Sequence, residues 1–153
     1  MLSVNIIADY FLLQTDSESG DFMTHLKLQK LVYYAQAWHL AIDKKPLFNN
    51  VIQAWAHGPV CPVLWNRFKE YGSNPIPTTL AKSDIKKINK NEIEFLGDIW
   101  NVYGQYTAKR LEEMTHSETP WIEARGSVKE YEACTTAISH SSMIVFYSKR
   151  IQK

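Results

Sequence analysis

The stretch THLKLQKLVYYAQAWHLAI, residues 24–42, decides the fold. Thr24 is a residue type that caps helix starts, and apolar side chains then recur at the spacing of one helix face. That stripe comprises Leu28, Leu31, Val32, Ala35, His39 and Ile42. Because Tyr34, Trp38 and Ala41 widen the stripe, two faces of this helix must pack against other elements. We therefore predict a central, deeply buried helix.

Four helix starts, including that of residues 24–42, are marked by an apolar pair that brackets a capping position, the hydrophobic staple. The pairs are Met23 with Leu28, Val60 with Trp65, Tyr106 with Leu111, and Ile138 with Met143. With the apolar periodicity, they predict helices over residues 3–14, 24–42, 62–72, 93–104, 107–115, 119–126 and 139–150. The helix of residues 119–126 is predicted to have Thr119 as its cap.

Residues 46–59, PLFNNVIQAWAHGP, follow a different pattern. Asn49 and Asn50 are typical of a turn, and side chains alternate after them until Gly58 and Pro59. The sequence as a whole predicts a mainly α fold: a compact single-domain bundle, residues 1–153, of about six to seven helices with a short β-hairpin or strand near residues 46–57.

Charge limits the classes of partner that the sequence predicts, and cysteine content indicates the cellular location. The chain of 153 residues has 17 Lys and Arg against 16 Asp and Glu, a net charge of +1. This balance gives no long-range field to hold a nucleic acid or an anionic membrane, so neither is expected as a partner. Cys61 and Cys134 lie far apart, outside any zinc-binding spacing. Reduced thiols indicate a cytoplasmic location.

Catalytic patterns are weak. No pair of histidines has metal-binding spacing, and glycines form no phosphate loop, so we predict no metal, cofactor or catalytic residue. One alternative is an enzyme that uses His116 and Glu118 of THSETPW, residues 115–121. Adjacent residues on one turn seldom face each other, and this composition also suits a helix end followed by a helix start. Another alternative, DNA binding through the lysines of residues 82–90, is the weakest because Asp84 interrupts them.

Three segments together resemble a known family. They are KLQKLVYYAQAWHLAIDKKPLF at residues 27–48, QAWAHGPVCPVLW at 53–65 and THSETPWIEAR at 115–125. In this order they are similar to the Panacea domain, the SocA-like antitoxin family of bacteria and phages. Cys61 and Trp65 depart from the pattern, since the family more often has an apolar residue and a tyrosine there.

The resemblance implies a helical antitoxin that neutralises a cognate toxin, encoded nearby, by direct protein contact. It leaves two alternatives open: an adaptor that delivers the bound toxin to a ClpXP-type protease, and a phage-associated protein with another binding function. The oligomeric state stays open, as does whether each tryptophan completes the core or anchors the toxin. The candidate partner-binding or motif residues are Trp38, Trp55, His57, Gly58, Pro59, Val60, Trp65, His116 and Trp121.

Overall fold

The computed structural model describes residues 1–151, apart from the side chain of Ser17. Within them lie seven α-helices and one antiparallel pair of strands. The elements are α1 Val4–Gln14, α2 His25–Asp43, β1 Gln53–Trp55, β2 Gly58–Val60, α3 Pro62–Phe68, α4 Lys90–Tyr103, α5 Ala108–His116, α6 Thr119–Arg125 and α7 His140–Ile151. The prediction of a mainly α fold with a small hairpin is confirmed. Residues 152–153 of the predicted domain lie outside the described residues.

Helix α2 is the centre of the molecule, as its two apolar faces predict. It packs against α1, α3, α4, α5, α7 and β2. Because it is surrounded, polar side chains on it are buried too and need partners. Gln36 illustrates this: its side chain accepts from the backbone N–H of Leu47 at 2.7 Å and donates to the C=O of Phe48 at 2.7 Å. The segment after α2 is thereby fixed to its side.

Most helix starts follow the predicted capping chemistry. Ser3, Thr24 and Thr107 each accept a hydrogen bond from a backbone N–H in the first turn of their helices. Ser139 accepts from the N–H of Ser142 at 3.1 Å in the same way. One prediction is wrong: Glu118, not Thr119, is the residue before α6. Its side chain makes no cap because it is engaged inside the protein.

The hairpin differs from the prediction in its turn. Ala56 and His57 form the turn, and residues 58–60 are the second strand, whereas Asn49 and Asn50 lie outside both strands. Pro59 is tolerated because it lies opposite Ala54, whose N–H points away from β2 and donates to the C=O of Thr136 at 2.9 Å. A residue at such a position contributes no N–H to the ladder, so proline removes no hydrogen bond.

A buried histidine lies at the start of α2. The side chain of Gln29 accepts from the N–H of Cys61 at 2.8 Å and donates to its C=O at 3.3 Å, which fixes the orientation of the amide. The amide nitrogen also lies 2.9 Å from Nε2 of His25. Because an amide nitrogen only donates, the histidine Nε2 must accept this hydrogen bond, and the ring must be neutral. Burial, reinforced by the positive charge of Lys30, lowers the pKa of His25 to about 4.

The free energy of unfolding should therefore fall in mild acid. Between pH 6.5 and pH 4 the unfolded chain binds a proton at His25 that the folded protein does not, so acid favours unfolding. From pH 7.5 to pH 5 we expect a loss of about 2 kcal/mol from this group, given an unfolded pKa of about 6.5. Urea unfolding at several pH values measures it. His25→Gln should show a shallower pH dependence, and equal slopes in the two proteins would contradict the assignment.

Candidate functional site

The β1–β2 hairpin lies directly over a buried lysine of α2. Nζ of Lys30 donates to the C=O of Pro59 at 3.3 Å, and the side chain is completely buried. Burial lowers the pKa of Lys30 to about 7, and the carboxylate of Glu112 on α5 acts in the opposite direction. The first and second family-like segments therefore meet at this lysine.

Gly58 makes that close approach feasible. Its φ is +108°, and a Cβ at this position would lie 2.5 Å from Cε of Lys30 and 3.0 Å from Oγ1 of Thr115. Both the backbone conformation and the space exclude a side chain. Thr115 belongs to the third family-like segment, so all three segments converge under the hairpin.

Helix α6 also holds the hairpin, through hydrogen bonds to β1. Nε1 of Trp121 donates to the C=O of Trp55 at 2.8 Å, and Nη1 of Arg125 donates to the C=O of Ala54 at 2.8 Å. His116 stacks on Trp121 with ring centroids 4.0 Å apart, and its Nδ1 lies 3.0 Å from a carboxylate oxygen of Glu130. These contacts give His116 and Trp121 a role in fixing the hairpin.

Glu118 takes part in a separate buried cluster. Its carboxylate accepts hydrogen bonds from the hydroxyls of Tyr34 at 2.8 Å and Tyr147 at 2.7 Å. Burial raises the pKa of Glu118, and the two tyrosine donors counteract the rise. The arrangement ties α2, α6 and α7 together. His116 pairs with Glu130 instead, so the structure does not bring His116 and Glu118 together as an acid-base pair.

An apolar groove of about 320 Å³ opens beside the hairpin. Its lining residues are Trp55, Ala56, His57, Val60, Ala133, Cys134 and Thr135. The ring of Trp65 lies 5.6 Å from that of Trp55, and Trp65 is 38% exposed. Nδ1 of the exposed His57 lies 3.3 Å from a carboxylate oxygen of Glu112. Large apolar side chains and few polar groups make this groove suited to an apolar side chain of another molecule.

The predicted residues thus fall into three groups. Trp55, His57 and Val60 line the groove with Trp65 beside it, and Gly58 and Pro59 lie against Lys30. Trp121 donates a hydrogen bond to the hairpin backbone, and His116 stacks on Trp121. Trp38 lies elsewhere, half-buried: its Nε1 donates to the hydroxyl of Tyr103 at 2.7 Å and its ring packs on Tyr147.

Sequence reasoning missed Lys30, Arg125 and the stretch of residues 133–135. Lys30 could have been found, because a helix that is apolar on two faces forces its polar residues inward, where they must be paired. Arg125 and residues 133–135 gave no such signal, since their roles depend on partners distant in sequence.

Two further findings concern residues 1–151. No helix there is long and apolar enough to cross a membrane. In the same part of the chain, no three His, Cys, Asp or Glu side chains are grouped so that they could hold a metal ion.

Comparison with protein families now identifies the chain. The family model described as "Antitoxin SocA-like, Panacea domain" matches residues 28–122. The chain belongs to the SocA-like Panacea family. The Panacea domain as matched contains Lys30, the hairpin and Trp121, whereas Arg125 and residues 133–135 lie beyond it.

A curated relative gives a partial match to the chain. It is Antitoxin SocA of Caulobacter vibrioides (strain NA1000 / CB15N), 38% identical over 63 residues that cover 41% of this chain and 34% of the relative. The match therefore spans about a third of the length of that protein. Among solved structures, none matches this chain.

Proposed function

We propose that this protein is an antitoxin that neutralises a cognate toxin, encoded nearby, by direct protein contact in the cytoplasm. Membership of the SocA-like Panacea family supports this role, as does the similarity to Antitoxin SocA. The near-neutral charge agrees with a protein partner, since it provides no field for binding a polyanion.

The contact surface in this proposal is the apolar groove beside the hairpin. The observation that carries it is that the half-buried Trp55 lines the groove and the exposed Trp65 packs beside it. The three family-like segments meet at the hairpin that carries Trp55. Tryptophans in pockets are the side chains that most often dominate binding energy at protein interfaces. Lys30, Trp121 and Arg125 donate hydrogen bonds to backbone carbonyls of the hairpin. These bonds hold the hairpin in place, so its groove is preorganised for binding.

Trp65→Ala should weaken toxin binding while leaving the fold intact. Loss of an aromatic anchor costs about 2 kcal/mol or more, roughly a thirtyfold loss of affinity. The matched control is Val102→Ala, another exposed apolar residue, on α4, which packs against α1 and α2. Affinity for the purified product of the adjoining gene and rescue of growth on co-expression give the readouts. Equal effects of the two substitutions would contradict the proposed surface.

The two cysteines supply an independent measure of where the toxin binds. Cys134 lines the groove, whereas Cys61 is buried at 2% exposure. Bound toxin should therefore slow alkylation of Cys134 at least severalfold, and Cys61 should stay unreactive with and without toxin. Unchanged alkylation of Cys134 in a stable complex would place the toxin elsewhere.

The adaptor alternative makes a different prediction about toxin amount. A blocking antitoxin leaves the toxin level unchanged, whereas an adaptor for a ClpXP-type protease lowers it only when the protease is present. Following toxin by immunoblot after synthesis is stopped, with and without the protease, separates the two mechanisms.

A further inference from the structure

A third segment of the chain pairs with β1 through an isolated antiparallel bridge. The N–H of Ile138 donates to the C=O of Ile52 at 2.8 Å, and the N–H of Ala54 donates to the C=O of Thr136 at 2.9 Å. Gln53 and Ala137 face each other in an antiparallel bridge between these two bonds. Residues 136–138 therefore run along the side of β1 that β2 leaves open.

The outer edge of this bridging segment is unpaired within residues 1–151. Backbone groups of successive residues in a strand point to opposite sides, so those of Thr135 and Ala137 point away from β1. Both residues are exposed, and within residues 1–151 their N–H and C=O groups form no backbone hydrogen bond. A row of free backbone donors and acceptors on a sheet edge is a template for another strand.

The groove lies on the face beside this edge. Residues that lie opposite each other on neighbouring strands share a face of the sheet. Trp55 lies opposite Gly58. Gln53 lies opposite both Val60 and Ala137, on the same face as Trp55. The other face, with Ile52, Ala54 and Ile138, is buried in the core. A strand added outside residues 135–137 would lie about 4.8 Å from them, so its alternate side chains would reach the groove that Thr135 and Trp55 line.

We propose that the toxin contributes an extended segment that pairs with the edge of residues 135–137 and places an apolar side chain in the groove. This inference rests on the proposed antitoxin function and specifies how the partner is recognised. The free edge favours an extended segment over a helix, because a helix satisfies its own backbone groups and would leave those of Thr135 and Ala137 unused. The apolar lining of the groove favours an apolar side chain of the toxin segment.

Proline substitutions at the edge test the proposal. Thr135→Pro and Ala137→Pro each remove an outward N–H without removing a hydrogen bond to β1, and proline is tolerated on edge strands. The controls Thr135→Val and Ala137→Ser change the side chain and keep the N–H. We expect about tenfold weaker binding of the purified product of the adjoining gene for each proline variant, and less than about a twofold change for each control.

Hydrogen exchange of the unmodified complex gives a second measurement that does not depend on folding of the variants. The amides of Thr135 and Ala137 should exchange rapidly in the free protein and become protected on binding the same gene product. The amide of Ile138, already bonded to Ile52, should be protected in both states and is the internal reference.

The outcomes separate this inference from the function on which it rests. A stable complex in which Thr135 and Ala137 stay unprotected overturns strand addition and leaves the antitoxin proposal standing. Protection that rises with the concentration of this protein alone also overturns it, because the occupant is then a second copy. If no complex forms and growth is not rescued, both proposals fail.

Discussion

Gly58→Ala is expected to lower the free energy of unfolding by about 2 to 5 kcal/mol, from backbone strain and overpacking together. The backbone at Gly58 has a φ of +108°, which L residues rarely adopt. The new Cβ would also lie 2.5 Å from Cε of Lys30, and this lysine has no free space because it is completely buried. The hairpin must therefore move or the lysine must be displaced.

Gly97→Ala is the matched control. Gly97 lies within α4, and a Cβ there would be 3.6 Å from the hydroxyl of Tyr10, an ordinary contact. Alanine in a helix interior is favoured over glycine by about 0.5 to 1 kcal/mol, so this variant should match or exceed the wild type in stability. Chemical denaturation of both variants provides the comparison.

A double variant separates the two causes at Gly58. Lys30→Ala removes the nearest atom that the new Cβ would meet, so the cost of Gly58→Ala should be smaller in that background, with backbone strain and the contact with Thr115 remaining. An equal cost in both backgrounds would mean that Lys30 does not support the hairpin. Toxin binding should weaken in parallel with displacement of the hairpin, because Trp55 and Val60 reach the groove from its two strands.

Local signals made the helices predictable from the sequence. The cap residues Ser3, Thr24, Thr107 and Ser139 act through hydrogen bonds within the first turn of a helix, and such chemistry depends on neighbours in sequence alone. The hairpin was predictable only in its approximate position. Its turn at residues 56–57 was missed, since the preference for Asn49 and Asn50 as turn residues was overridden by packing of β2 on α2.

The candidate site was harder to predict because it depends on contacts between distant segments. Glu118 was considered as a partner of His116 in an enzyme, yet its carboxylate bonds to Tyr34 and Tyr147, on two other helices. Residues 136–138 carry no alternating pattern, and they pair with β1 through a single antiparallel bridge on its open side. Composition and periodicity contain no information on such pairings.

Arg125→Met should have a comparably large effect, about 3 to 5 kcal/mol of the free energy of unfolding, because it leaves the buried C=O of Ala54 and three partly buried C=O groups without this donor. The guanidinium of Arg125 donates to the C=O of Ala54 in β1 and to the C=O groups of Lys129, Glu130 and Glu132 in the loop after α6. Methionine fills similar space and provides no hydrogen bond. Thermal or urea unfolding measures the loss.

Arg110→Met is the matched control for this substitution. Arg110 is exposed, and its ion pair with Glu113 spans 3.9 Å, so its loss should change stability by less than about 1 kcal/mol. The Arg125 variant should also exchange the amide of Ile138 faster, because the loop that leads into residues 136–138 loses its anchor. If it unfolds like the control, Arg125 does not hold residues 136–138 in place. The backbone hydrogen bonds of Ile52 and Ala54 would then be enough to keep the sheet edge proposed for toxin binding beside β1.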